Sequence, residues 1–133
     1  MPNMANIVVK KNDNTTDVTY VAKTPAGGDG IPAIWRNESV GNAPAHFPEL
    51  RLSSRDASNG GKRHMRGTYV YPQIVTNSTT ALTQVVDKAE ADFNVKFPRG
   101  MSQVNIDEFV SQFANLIRAE LIKDSNKSGF APT

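Results

Sequence analysis

The chain contains no cysteine among its 133 residues. Disulfides, thiolate nucleophiles and cysteine-bound metals are therefore excluded, and folding needs no oxidising compartment. Histidine is almost as scarce, with only His46 and His64 present. Neither falls in a metal-ligand spacing, so no zinc site or other cofactor is expected. No Gly-x-Ser-x-Gly turn presents a nucleophile, which leaves a hydrolytic triad without support. Gly27-Gly28-Asp29-Gly30 lacks the spaced Gly-Lys-Ser/Thr and the following helix of a phosphate loop, and reads as a connector. No apolar run approaches a membrane span, and Met1-Pro2-Asn3-Met4 has no signal-peptide pattern. The expectation is a soluble protein, made and folded in a cytoplasm. The four Asn-x-Ser/Thr matches, at Asn14, Asn37, Asn77 and Asn126, then carry no glycosylation meaning.

Composition is that of an ordinary globular domain, 38% hydrophobic and 21% charged. The net charge is only +2, but it is unevenly spread. Residues 51–68 hold Arg51, Arg55, Lys62, Arg63 and Arg66 against the single acid Asp56, a local +4 that leaves the rest of the chain at −2. A concentrated basic patch is the electrostatic footprint of a polyanion partner. A solvated strand face is the rival reading.

Strand patterns fill the first three quarters of the chain. Residues 6–11 and 15–23 flank the turn cluster Asn12-Asp13-Asn14 and form an expected hairpin. Residues 31–36 make a short strand, placed at an edge because of Pro32. Residues 50–55 alternate: Leu50 and Leu52 face one way, Arg51, Ser53 and Arg55 the other. Ser58-Asn59-Gly60-Gly61 is a turn signal. The returning strand, residues 62–75, puts Met65, Tyr69 and Tyr71 on one face and His64, Arg66, Thr68 and Val70 on the other, with a bulge or edge expected at Pro72. After a polar tip at residues 76–80, residues 85–97 alternate with a period of two. Ala89, Ala91, Phe93, Val95 and Phe97 share one side; Lys88, Glu90, Asp92, Asn94 and Lys96 share the other.

The last quarter is helical. Asn105 is the expected N-cap, with Asp107 and Glu108 in the first turn, where the helix dipole favours acids. Phe109, Val110, Phe113, Leu116, Ile117 and Leu121 recur at helical spacing. That apolar stripe is wide for a lone surface helix and must cover a sheet, a partner subunit or both.

The basic sheet face carries the functional signal. Arg51, Ser53 and Arg55 would lie beside Lys62, His64, Arg66 and Thr68, a set of cations and hydroxyls suited to RNA phosphates and bases. Glu90 and Asp92 share a strand face, but an acid–base pair normally occupies a cleft that perturbs its pKa values. Catalysis by these two acids is the weakest of the readings.

The order Leu50-Arg51-Leu52-Ser53-Ser54-Arg55, Asn59-Gly60-Gly61-Lys62-Arg63-His64, Tyr69-Val70-Tyr71-Pro72, then Ala89 to Pro98, an amphipathic helix and Ser128-Gly129-Phe130 resembles the coat proteins of the small single-stranded RNA bacteriophages, the leviviruses. The resemblance spans nearly the whole chain. It implies an α+β fold: an N-terminal β-hairpin, a five-stranded antiparallel sheet and two C-terminal helices that interlock in a homodimer. One domain would then comprise a hairpin at about residues 5–24, a sheet at 31–98, helices at 102–125 and a tail at 126–133. The stripe from Phe109 to Leu121 would form the dimer interface. Thr76, Asn77, Ser78, Thr79 and Thr80 would form the loop between dimers.

The resemblance further implies no enzyme. It implies a structural protein whose dimers close into an icosahedral shell around single-stranded genomic RNA, assembled in the bacterial host cytoplasm and located in the virion. Neither a membrane nor a small-molecule substrate is implied. An operator hairpin that represses replicase translation is a further implied ligand. The RNA-contacting set would be Arg51, Ser53, Arg55, Lys62, His64, Arg66 and Thr68, with Glu90 and Asp92 on the same face. The chain departs from the family at these two acids, which stand where members carry a base-stacking tyrosine and an asparagine. The alternative is a stand-alone, sheet-based RNA-binding translational regulator that forms no shell.

Overall fold

A computed structural model describes residues 2–57 and 61–133. The turn expected at residues 58–61 lies, but for Gly61, outside the described residues. Six strands form one sheet in the order β1-β2-β3-β4-β5-β6. They are β1 (Ile7–Lys10), β2 (Asp17–Thr24), β3 (Ala33–Arg36), β4 (Glu49–Asp56), β5 (Lys62–Thr76) and β6 (Thr83–Pro98). The expected hairpin and five-stranded sheet are both present, but β2 belongs to each, so the strands number six rather than seven.

The first hairpin is set by its turn. The Asp13 carboxylate accepts hydrogen bonds from the Thr15 and Thr16 amides, both at 2.9 Å, and from the Thr16 hydroxyl at 2.6 Å. These bonds hold Asp13 at a pKa of about 2. Ile7 then faces Tyr20 and Lys10 faces Asp17. β2 pairs with β1 through Asp17 to Tyr20 and with β3 from Val21 onward, with a register shift in the latter pairing between Ala22 and Thr24.

β3 lies between β2 and β4, not at an edge. The strand starts at Ala33, so Pro32 precedes it and withholds no donor from its ladder. Pro72 lies within β5, beyond the last β4 partner pair, Glu49 with Val70, where that side of the strand has no β4 neighbour.

The core of the sheet unit, residues 1–96, forms on one face. Tyr20, Ala33 and Trp35 are its buried hydrophobic residues, with Ile7, Val18, Leu50, Leu52 and Tyr69 packed around them. Alternation puts these side chains on the same side of successive strands. The Tyr20 and Tyr69 rings meet edge-on, with centroids 6.0 Å apart and hydroxyls 2.5 Å apart. The Trp35 indole N–H donates to the Ala5 carbonyl at 2.8 Å, so the segment before β1 is pinned to β3.

Residues 97–133 form a second unit containing α1 (Gln103–Arg118) and α2 (Glu120–Ser128). The N-cap of α1 is Ser102, whose hydroxyl accepts from the Asn105 amide at 3.4 Å. Asn105 is thus already helical, and Asp107 and Glu108 fall beyond the first turn, where they accept side-chain bonds from Gln103 and Gln112. Ala119, in an extended conformation, separates the two helices. α2 continues through Ser128 into what was expected to be tail, and Gly129 ends it with φ 81°, a left-handed conformation that glycine adopts without strain.

Candidate nucleic-acid interface

Register decides which side chains meet. Arg51 lies opposite Thr68, Ser53 opposite Arg66, and Arg55 opposite His64. These six therefore share one sheet face, and Lys62 joins them by alternation. The intervening pairs, Leu50 with Tyr69 and Leu52 with Gly67, share the apolar face. Over this stretch of β4 and β5 the sheet separates apolar from charged side chains, as the period of two requires.

Arg63 does not belong to this basic face. Its guanidinium donates to Asp56 at 2.9 Å and to the Ser54 hydroxyl at 3.3 Å, with Asp29 at 3.7 Å. Part of the local charge of residues 51–68 is thus neutralised on the opposite side.

Two groups of charges can be distinguished on the basic face. In the first, Glu49 is shared by Arg36 at 2.9 Å and Arg51 at 3.0 Å. Asp92 accepts two bonds from Arg66, 3.0 Å from Nη2 and 3.4 Å from Nε. In the second, Arg55, Lys62 and Lys96 make no ion pair among the described residues and surround His64. Partial burial, then Lys96, Arg55 and Lys62 in that order, push the His64 pKa below its ordinary 6.5. His64 is accordingly neutral at pH 7, and its Nδ1 is buried without a hydrogen-bond partner among the described residues.

Between these groups lies an open hollow of about 510 Å³, rimmed by Ser53, Arg55, His64, Arg66, Asp92 and Asn94. Hydroxyl, amide, imidazole and guanidinium groups converge on it. Such a lining can hydrogen-bond an oxyanion or a base edge. Asp92 is committed to Arg66, and among the described residues Glu90 has no ion-pair partner. Among the described residues no hydrogen bond joins the two acids, and no group of three His, Asp or Glu side chains could hold a metal ion.

Sequence reasoning named Lys96 and Asn94 only as members of the alternating face, and did not assign them to the site. The period of two that selected Asp92 placed them beside it. Arg36 carried no such signal, since its proximity to Glu49 depends on the β3–β4 register.

The other predicted groups lie elsewhere. Thr76 ends β5, and its hydroxyl is 2.9 Å from that of Thr83. The Asn77 side chain accepts from the Thr79 and Thr80 amides at 2.8 and 3.3 Å. Ala81, at φ 56°, closes the turn through a 2.8 Å bond from its amide to the Asn77 carbonyl. In the helical unit Phe109, Val110, Leu116, Ile117 and Leu121 are exposed in the single chain, and Phe113 is half-buried.

A family model described as "Levivirus coat protein" matches residues 2–128. No curated protein matches by sequence. Among solved structures, the virus-like particle of bacteriophage NT-214 is similar with a TM-score of 0.83 at 17% identity, covering 99% of this chain and 100% of that one. The virus-like particle of Beihai levi-like virus 21 gives 0.81 at 18% identity, covering 99% and 98%. The bacteriophage GA protein capsid gives 0.77 at 22% identity, covering 96% and 95%.

Proposed function

Because this chain belongs to the levivirus coat protein family, a family of structural capsid proteins and not enzymes, we propose that it builds the virion shell as interlocked homodimers and packages single-stranded genomic RNA against the basic face of its sheet. The observation that carries the RNA assignment is the register that puts Arg51, Arg55, His64, Arg66 and Thr68 on one face. Neutralising phosphates with such cations releases counterions, and many weak contacts add up across a closed shell.

Dimerisation has separate support. An α1–α2 surface that leaves Leu116 and Leu121 each 62% exposed is poorly suited to water. A twofold-related copy would cover it with the same stripe. The turn at residues 76–80 is the proposed contact between dimers. The bonds that the Asn77 side chain accepts from the Thr79 and Thr80 amides fix its shape before any contact forms.

Recognition of an operator hairpin is the finer form of the proposal. It would use the hollow between β4, β5 and β6, where Asp92 gives this chain a surface chemistry of its own. Assembly in the bacterial host cytoplasm belongs to the same reading.

Expression of the full chain in bacteria, followed by size-exclusion chromatography with light scattering and nucleic-acid absorbance, tests the proposal. A megadalton species containing RNA is expected. A species near one or two chains of 14.5 kDa that binds RNA would instead support the stand-alone regulator.

A further inference from the structure

Asp92 is an acid on a face otherwise organised to meet a polyanion. It grips Arg66 with both carboxylate oxygens, at 3.0 and 3.4 Å. A guanidinium offers that same fork to a phosphodiester, whose two non-bridging oxygens fit it as the carboxylate does. We propose that Asp92 is a built-in stand-in for phosphate, which holds Arg66 aimed at the hollow until an RNA phosphate takes its place. This inference rests on the RNA reading of the face.

Exposure separates Asp92 from Glu49, the other ion-paired carboxylate described on this face. Glu49 keeps only 18% of its side chain exposed and is clasped by two arginines, so it is a fixture of the sheet. Arg66 and Asp92 keep 62% and 57% exposed. An ion pair so open to solvent contributes little and exchanges readily. Arg55, Lys62 and Lys96, which make no ion pair among the described residues, attract the polyanion to the same hollow. Binding at Arg66 is then an exchange of one anion for another. Arg66 releases less net counterion than a free arginine would, and an RNA that supplies no phosphate at that point leaves the Arg66–Asp92 pair intact and gains nothing from Arg66.

The test compares the full chain with Asp92→Asn, Glu90→Gln and Arg55→Ala, using a short synthetic single-stranded RNA across a salt series. Asp92→Asn keeps the shape and releases the fork. Several-fold tighter binding is expected, with the log K against log salt slope steeper by about 0.7 as Arg66 becomes a full phosphate contact. Glu90→Gln removes the same charge from the same strand face without releasing a guanidinium. A smaller gain and an unchanged slope are expected. Thermal melting checks that the variants remain folded. Equal gains and equal slopes for the Asn and Gln variants would overturn the stand-in role, while a weakened Arg55→Ala would leave the RNA reading intact. Unaltered binding by Arg55→Ala would overturn both.

Discussion

The ring of Phe93 lies where any side chain on Gly67 would begin. Gly67 is buried opposite Leu52 of β4, and Phe93 belongs to β6. One residue earlier on each strand, Arg66 and Asp92 join on the opposite face. β5 and β6 are thus clasped twice at one point, by an aromatic ring on the apolar face and an ion pair on the basic one. The glycine is required by close approach, and the aromatic ring fills the gap that a glycine leaves in a strand.

Gly67→Ala should therefore destabilise the chain by about 1–3 kcal/mol through overpacking. Adding Phe93→Leu should recover part of that loss. Chemical denaturation of the single and double variants checks both effects.

Tyr20→Phe leaves the Tyr69 hydroxyl without its 2.5 Å partner. The expected cost is about 0.5–1.5 kcal/mol. Burial also raises both phenols above their ordinary 10.0. The unfolded chain then ionises first, so stability is full below pH 10 and falls as pH rises above it. Tyr20→Phe should reduce that alkaline loss, which melting curves across the range would record.

His64 gives the opposite sign. Its pKa lies below 6.5 in the fold, so the unfolded chain binds the proton first. Stability is full above pH 6.5 and declines as pH falls through the folded value. RNA phosphate favours the protonated ring, so affinity should rise as pH falls below 6.5. His64→Gln should flatten both profiles, as melting and RNA titration would show.

Arg55 makes no ion pair among the described residues, so in the proposed RNA contact its charge is undiminished. Arg55→Ala should weaken binding and lower the salt slope by about 0.7. The triple Arg51, Arg55 and Arg66 to alanine change should lower it further. Filter binding over a salt series measures both.

Leu116→Asp places a charge on a side chain that is 62% exposed in the single chain. In the proposed interface the same charge would be buried without a partner, at a prohibitive cost. Light scattering should show that particles are lost. Phe113→Asp, at a half-buried position, should abolish the dimer as well.

Strict alternation made β4, β5 and β6 legible from sequence, because one face of each strand is apolar and the other charged. Asp92 with Arg66 was less legible, since the pairing depends on the β5–β6 register across a long hairpin. Arg63 was counted with the basic patch because charge along a sequence does not report which face a side chain takes. Ser102 and Asn105 are both good caps, and only backbone geometry chooses between them. The break at Ala119 carries no glycine or proline, and the apolar spacing runs straight through it from Ile117 to Leu121. Pro32 suggested an edge because its position relative to the strand start was off by two residues.

The buried apolar core among the described residues is small for a chain of this length: Tyr20, Ala33 and Trp35. Much of the apolar surface that should hold the fold together is exposed on α1 and α2. In the proposed dimer, folding and self-association become a single equilibrium, and dilution acts as a denaturant. The melting temperature should shift with the amount of protein in the tube, and subunits waiting to join a shell would be the form most open to proteases.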